Sequence, residues 1–152
     1  MKPFERWGIH VGFLIAALTG LLYGWFRYFG QVQGEFGLEP HRFQGLWQHL
    51  HVLASPLLLF ALGMVVRGHL YGKLKHGVKD GRSSGLLLAW LILPMVLSGY
   101  GVQVATNTFW RSALAWVHGS ASIAFVVLYA AHLIRTWNLP RQQVNGEQQE
   151  VD

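Results

Sequence analysis

Histidines are the residues in this chain whose number and spacing could support chemistry. The 152 residues include eight histidines, and two of them, His118 and His132, lie 14 positions apart in one apolar stretch. On an α-helix this spacing is close to four full turns, so both rings lie on one face and about 21 Å apart along the axis. An ionisable side chain in an apolar helix costs free energy to bury and therefore marks a candidate functional site.

That separation favours two large cofactors over one small metal ion. A zinc ion needs all its ligands within a few ångströms, whereas one helix with histidines at this spacing can offer an axial ligand to each of two stacked haems. The chain has no cysteine, which excludes disulfides, iron–sulfur clusters and the covalent attachment of c-type haem. We therefore expect two non-covalent b-type haems.

Each histidine of this helix then needs a partner at matching depth on another helix. His132 lies three residues before Arg135, and His10 lies four residues after Arg6, so both are close to a basic helix end. If Arg6 and Arg135 lie at the same membrane surface, the two histidines lie at the same depth. The sequence therefore predicts His10 and His132 as the two ligands of one haem iron.

The second pair contains a choice that depth does not settle. His118 lies seven residues after Arg111, while His49 and His51 follow Arg42 by seven and nine residues. The two candidates are about 200° apart around a helix and cannot face the same haem. The sequence thus predicts His118 with either His51 or His49 as the ligands of the other iron.

The other histidines have plainer interpretations. His41 and His76 lie outside the apolar stretches and read as ordinary loop residues. His69 is five turns beyond His51 on the same face, but it follows Arg67 and belongs to the headgroup region. It reads as a solvated loop residue, with contact to a haem propionate or a quinone as the alternative.

Composition indicates that lipid is the solvent around these histidines. The chain is 52% hydrophobic and only 12% charged, about half the charge of a soluble domain. Crossing the hydrocarbon core takes about 20 apolar residues, and four stretches reach that length. They run over Trp7–Phe29, Leu46–Val66, Gly85–Val104 and Leu114–Ile134.

We therefore expect an all-α integral membrane four-helix bundle. One transmembrane domain would span residues 1–139, and the polar residues 140–152 would form a disordered tail. Pro56 and Pro94 fall inside the second and third stretches and could kink them. Several glycines in the stretches could leave room for flat macrocycles or serve close helix packing. They are Gly8, Gly12, Gly20, Gly24, Gly45, Gly63 and Gly119.

The distribution of basic residues predicts the orientation. Positive residues favour cytoplasmic loops, and nine of the twelve Lys and Arg residues would fall on one side. That side contains Lys2, Arg6, Arg67, Lys73, Lys75, Lys79, Arg82, Arg135 and Arg141. The other side contains Arg27, Arg42 and Arg111. Both termini should be cytoplasmic, and the loop from Gly30 to Gln44 should face the opposite compartment. The net charge of +5 thus reflects topology and not nucleic-acid binding.

The histidine pattern resembles the four-helix dihaem membrane cytochrome b superfamily. Its members include bacterial cytochrome b561 proteins and the cytochrome b subunits of formate dehydrogenases and nickel–iron hydrogenases. In that group the first and second helices give one haem ligand each and the fourth helix gives two, which His10, His51, His118 and His132 match. Leu18-Thr19-Gly20 in the first helix is also similar to the family. The resemblance implies His51 as the ligand in place of His49.

The resemblance also implies a function and a location. Two haem b groups would carry electrons across the bacterial inner membrane between quinone and a redox protein subunit on the periplasmic side. Quinone would bind near His10 and His132, with Arg6, Lys79, Asp80 and Arg82 as candidate polar contacts or as topology determinants only. Such a chain is an electron-transfer subunit of a quinone-linked oxidoreductase, and whether it is an enzyme by itself is left open.

Two other functions fit the same sequence. The first is a stand-alone cytochrome b561-type quinone oxidoreductase, such as one that oxidises superoxide, which would need no partner subunit. The second is a haem-free membrane anchor or transporter whose histidines bind metal ions or protons. Neither alternative changes the predicted membrane topology.

Overall fold

The computed structural model describes residues 3–76 and 82–137. These residues divide into two compact units, with the boundary between positions 77 and 78. The first unit contains a pair of long helices joined by a small β-ribbon, and the second contains another pair joined by a tight turn. We call them the first and second helix pairs. The loop end of a pair is the end at which its two helices are joined, and the open end is the opposite one.

Four of the helices in the described residues are long and apolar enough to cross a membrane. They are α1 (Pro3–Tyr28), α2 (Gln44–Val65), α4 (Arg82–Val104) and α5 (Thr108–Trp137). The prediction of four apolar helices is confirmed. Three of them begin three or more residues before the apolar stretches, because polar and aromatic residues at the ends continue the helical hydrogen bonding. Insertion into a membrane and the cytoplasmic location of both termini stay predictions.

The first helix pair is antiparallel and closely packed. A Cβ placed on Gly12 of α1 would lie 3.5 Å from the Cα of Leu58 on α2, which is ordinary van der Waals contact. Ile9 and Ala16 of α1 are buried together with Ala54 and Leu58 of α2. Small residues on α1 therefore let the two backbones approach each other, as small residues do between membrane helices.

The connection between α1 and α2 is more ordered than the predicted loop. Strand β1 (Val32–Gly34) pairs antiparallel with β2 (Gly37–Glu39). Gly37 adopts a φ of +124°, a conformation that glycine accommodates in a tight turn. The ribbon lies within the predicted loop from Gly30 to Gln44, and its two-residue turn has a glycine on each side.

An aromatic cluster fixes the chain after the ribbon. The ring of His41 stacks on Phe26 of α1 at a centroid distance of 4.6 Å. Its Nδ1 accepts the backbone N–H of Phe43 at 3.2 Å, immediately before α2 begins. Because the ring is held on both sides, His41 has a structural role at the loop end of the first pair.

At its far end α2 changes its helical winding. Val66–Leu70 forms one turn of π-helix, and the short helix α3 (Tyr71–Lys75) follows. His69 lies within this turn and His76 is exposed just after α3. Lys79 and Asp80, two candidate quinone contacts, lie outside the described residues.

The second helix pair is joined by three residues only. Asn107 caps α5, because its Oδ1 accepts the backbone N–H groups of Phe109 at 2.9 Å and of Trp110 at 3.3 Å. A Cβ on Gly101 of α4 would lie 3.0 Å from the side chain of Leu114 on α5, so α4 and α5 are antiparallel. The predicted disordered tail, residues 140–152, lies outside the described part.

Each of the four helices exposes large apolar side chains along its length. Representative exposed fractions are 64% for Leu14, 65% for Leu57, 63% for Leu97 and 61% for Ile123. Apolar surface of this extent is rare on soluble monomers, and it fits contact with membrane lipid.

Candidate functional site

His51 is held against α1 through one nitrogen of its ring. Its Nδ1 lies 3.1 Å from the carbonyl oxygen of Ala16 and 3.3 Å from the hydroxyl oxygen of Thr19. The Thr19 hydroxyl in turn donates to the carbonyl oxygens of Ile15 at 2.8 Å and Ala16 at 3.2 Å. Thr19 is buried, so these bonds satisfy a polar group that has no access to water.

Gly20 provides the space that this ring occupies. A Cβ at this position would lie 2.8 Å from Cε1 and 3.1 Å from Nδ1 of His51. Contacts that short force a neighbour to move. Any side chain larger than hydrogen at residue 20 would therefore displace the ring from α1. The requirement comes from close approach and not from backbone conformation.

His118 is held against α4 in the same manner. Its Nδ1 lies 2.9 Å from the carbonyl oxygen of Met95. The buried hydroxyl of Ser98 donates to the carbonyl oxygens of Pro94 and Met95, the latter at 3.2 Å. A Cβ on Gly99 would lie 2.9 Å from Cε1 and 3.0 Å from Nδ1 of the histidine ring.

These contacts fix the state of both rings. A carbonyl oxygen can only accept, so Nδ1 must carry a proton in His51 and in His118. In a neutral imidazole the other nitrogen, Nε2, is then unprotonated and has a lone pair. Histidines that bind a metal commonly have this arrangement, with the distal N–H donated to a carbonyl or carboxylate. Nε2 is therefore the nitrogen through which either ring could bind a metal ion.

His132 has a different partner. Its Nδ1 lies 2.8 Å from the hydroxyl oxygen of Ser84 on α4. A hydroxyl can donate or accept, so this contact orients the ring without fixing its tautomer. The residue is half-buried near the open end of the second pair.

The remaining histidines differ in exposure. His10 is half-buried on α1, next to the buried Ile9 and near the open end of the first pair. His49 is exposed on α2, two residues before the half-buried His51. The structure therefore gives His51 a packed environment and leaves His49 outside it.

The four predicted ligands are divided equally between the two units. His10 and His51 belong to the first helix pair, and His118 and His132 belong to the second. Each predicted iron would take one ligand from each pair, and this pairing stays a prediction. Within residues 3–76 and 82–137 there is no cluster of three or more His, Cys, Asp or Glu side chains that could hold a metal ion.

Some glycines were predicted to make room for macrocycles, and their surroundings differ. Gly20 contacts a histidine ring, whereas a Cβ on Gly24 or Gly119 would meet no other atom of the described structure within 4 Å. Gly45 and Gly63 are equally open, and Gly8 makes only an ordinary contact.

Sequence reasoning missed Ser84, Ser98 and Gly99. A signal for two of them exists, because Leu97-Ser98-Gly99 in the third stretch repeats the Leu-hydroxyl-Gly pattern of residues 18–20 in the first. Both tripeptides lie one turn beyond the carbonyl group that accepts from a histidine.

Comparisons of this chain with protein-family models, with curated proteins and with solved structures found no match. The resemblance to the dihaem cytochromes b therefore depends on the histidine pattern and on Leu18-Thr19-Gly20.

Proposed function

We propose that this protein carries electrons across a membrane through two b-type haems, each bound by two histidines. One haem would be bound by His51 and His118, at the loop ends of the helix pairs. The other would be bound by His10 and His132, at the open ends.

The observation that supports this proposal best is the matching state of His51 and His118. Each ring donates Nδ1–H to a backbone carbonyl of a neighbouring helix, which makes Nε2 the unprotonated nitrogen of the neutral ring. A glycine lies beneath the ring in both places. Two such neutral nitrogens are the donor set of a bis-histidine haem.

Haem held by two histidines would supply reversible one-electron chemistry at each site. His118 and His132, about 21 Å apart along α5, would hold the two haems apart from each other. Ser84 and the carbonyls of Ala16 and Met95 would orient the ligands. The apolar helices around them would keep water away, which tunes the potential of the iron.

The electrons would come from or go to a membrane quinone. We place the quinone site near His10 and His132, where Arg6 is exposed at the start of α1. An arginine at this position can contact a quinone oxygen or a haem propionate. A redox protein subunit in the periplasm would exchange electrons with the other haem, and the chain would reside in a bacterial inner membrane.

Haem content tests the proposal directly. The chain should be purified in mild detergent, and its haem measured by pyridine haemochrome against protein by amino-acid analysis. We expect close to two haems per chain, a reduced-minus-oxidised spectrum of b type, and complete release of haem into acid–acetone. Reduction by a short-chain quinol then tests the link to quinone.

Other results would contradict specific parts of the proposal. A ratio near one would overturn the two-haem arrangement. Purified protein without a haem Soret band, expressed with haem supplied, would favour a membrane anchor or a transporter. Haem that is reduced by superoxide while quinone is reduced in turn, with no partner present, would favour a stand-alone oxidoreductase.

A further inference from the structure

The buried positions of the two helix pairs match one another. The same number of residues separates Ile9 of α1 from Leu88 of α4 as separates Thr19 of α1 from Ser98 of α4. We call residues related by this fixed separation corresponding residues. All four of these residues are buried. The second helices match in the same way. Their corresponding buried residues are Ala54 and Ala121, Leu58 and Phe125, and Leu62 and Tyr129.

The correspondence has few exceptions. Ala16 and Ala61 are buried in the first pair, while their counterparts Met95 and Leu128 are half-buried. Two unrelated helical hairpins would each bury one face, but they would have no reason to bury it in the same register along both helices. The connections also differ, a β-ribbon in one pair and a three-residue turn in the other. The match therefore does not come from a shared loop.

The histidine contacts fall in the same register. The number of residues between His51 and His118 is the same as between the corresponding buried residues of α2 and α5. Ala16 and Met95, whose carbonyl groups accept from the histidines, are related by the fixed separation between α1 and α4. The same separation relates Gly20 to Gly99, the glycines that contact the rings. Donor, acceptor, hydroxyl and glycine thus recur together.

We propose that the two helix pairs are structural repeats whose shared feature is a seat for one histidine ligand. The seat consists of a hydroxyl residue followed by glycine. Thr19–Gly20 forms the seat of His51, and Ser98–Gly99 forms the seat of His118. The ligand role rests on the proposed function, whereas the tautomer that the seat imposes does not.

Within each seat the hydroxyl is a positioning residue. The carbonyl oxygen of Ala16 accepts from both Thr19 and His51, and that of Met95 accepts from both Ser98 and His118. Both hydroxyls are buried and bond back to carbonyls within their own helix turn. They hold the acceptor carbonyls in place, and the glycine admits the ring close enough to reach them.

The other two histidines do not repeat. The position in α4 that corresponds to His10 is Ala89, and the position in α2 that corresponds to His132 is Val65. The haem at the loop ends would therefore have two equivalent ligands, whereas the haem at the open ends would have ligands from unlike environments.

Glycine substitutions test the seats through haem binding. Gly20→Ala and Gly99→Ala should each lower the haem content from two to one per chain, and both should lose the same spectral component. Gly24→Ala on α1 and Gly119→Ala on α5 are the matched controls, because a Cβ there meets no described atom within 4 Å. Both controls should keep two haems.

Hydroxyl substitutions test the positioning role. Thr19→Val and Ser98→Ala should weaken the same haem about 10- to 100-fold, the range found when partners of metal-bound histidines are removed. Thr19→Ser and Ser98→Thr should bind haem as the wild type does, since each variant keeps a hydroxyl group at its position.

A spectroscopic measurement separates the seats from the proposed function. In ¹⁵N-histidine-labelled chain, either haem-free as purified or with diamagnetic ferrous low-spin haem, His51 and His118 should show Nδ1–H signals protected from solvent exchange. The variants His51→Ala and His118→Ala assign the two signals. Thr19→Val should remove the protection of the His51 signal and leave that of His118 unchanged.

The outcomes are distinguishable. A wild-type chain that binds no haem but shows both protected Nδ1–H signals would overturn the proposed function and leave the seats intact. Seats would be overturned by Nε2–H tautomers at His51 and His118. They would equally be overturned if Gly20→Ala and Gly99→Ala kept both haems or lost different ones.

Discussion

The Nδ1 atom of His132 lies 2.8 Å from the hydroxyl oxygen of Ser84, across the packed face between α5 and α4. This contact is with a side chain, whereas His51 and His118 contact backbone carbonyls. A carbonyl cannot be removed by mutation, but a serine hydroxyl can. The orientation of His132 therefore depends in part on a side chain that a substitution can remove.

The first prediction follows from that contact. Ser84→Ala should weaken the binding of the haem at the open ends about 10- to 100-fold, because its ligand loses the group that orients the ring. The other haem should be unaffected. Haem titration of the chain, followed at the Soret band in detergent, measures both affinities.

Two variants control this experiment. Ser84→Thr keeps a hydroxyl and should bind both haems as the wild type does. Ser83→Ala removes the neighbouring hydroxyl, which is exposed, and should also leave both affinities unchanged. Equal weakening of both haems by Ser84→Ala would show that the residue supports the helix pair and not His132 in particular.

The second prediction concerns the ligand pairs. His118→Ala and His51→Ala should lose one and the same haem, because both rings donate Nδ1–H to a backbone carbonyl at the loop ends of their helix pairs. His132→Ala and His10→Ala should lose the other. Low-temperature reduced-minus-oxidised spectra identify which component is lost, and size-exclusion chromatography in detergent checks that each variant remains folded.

His49 provides the matched control for the pairing. Its side chain is exposed on α2, and it is about 200° around the helix from His51. His49→Ala should therefore keep both haems with unchanged spectra. Retention of two haems by His51→Ala, together with loss of one by His49→Ala, would show that the ligand was assigned to the wrong histidine.

The third prediction is the membrane topology. Nine of the twelve basic residues fall on the side of the termini and the segment between α2 and α4, so both termini should be cytoplasmic. Fusions of alkaline phosphatase after Phe29 and after Val104 should be active, and fusions after Val66 inactive. The reverse activities would invert the assignment of cytoplasmic and periplasmic haems.

The fourth prediction tests the tight turn of the second helix pair. Asn107→Ala removes the acceptor for the backbone N–H groups of Phe109 and Trp110. Loss of such a cap costs about 1 kcal/mol of stability, which should lower the thermal midpoint of the chain in detergent. Asn107→Asp keeps an acceptor oxygen and should retain the wild-type midpoint. Equal midpoints for Asn107→Ala and the wild type would contradict the capping role.

The sequence by itself determined the number and location of the long helices, because apolar length is a local property of the chain. It also determined which faces His118 and His132 share, since helical periodicity fixes the angle between residues of one helix. The ribbon between α1 and α2 was missed, as its three-residue strands are too short to show a hydrophobic period.

Only the tertiary structure decided how each histidine ring is held. Whether His51 meets Ala16 and Gly20 depends on how α1 and α2 are rotated and shifted against each other, and side-chain packing between helices sets both quantities. The same reason explains why Ser84, Ser98 and Gly99 were not predicted from sequence. Spacing within one helix places a residue on a face, but the atom that it meets across the interface is fixed by the helix packed against it.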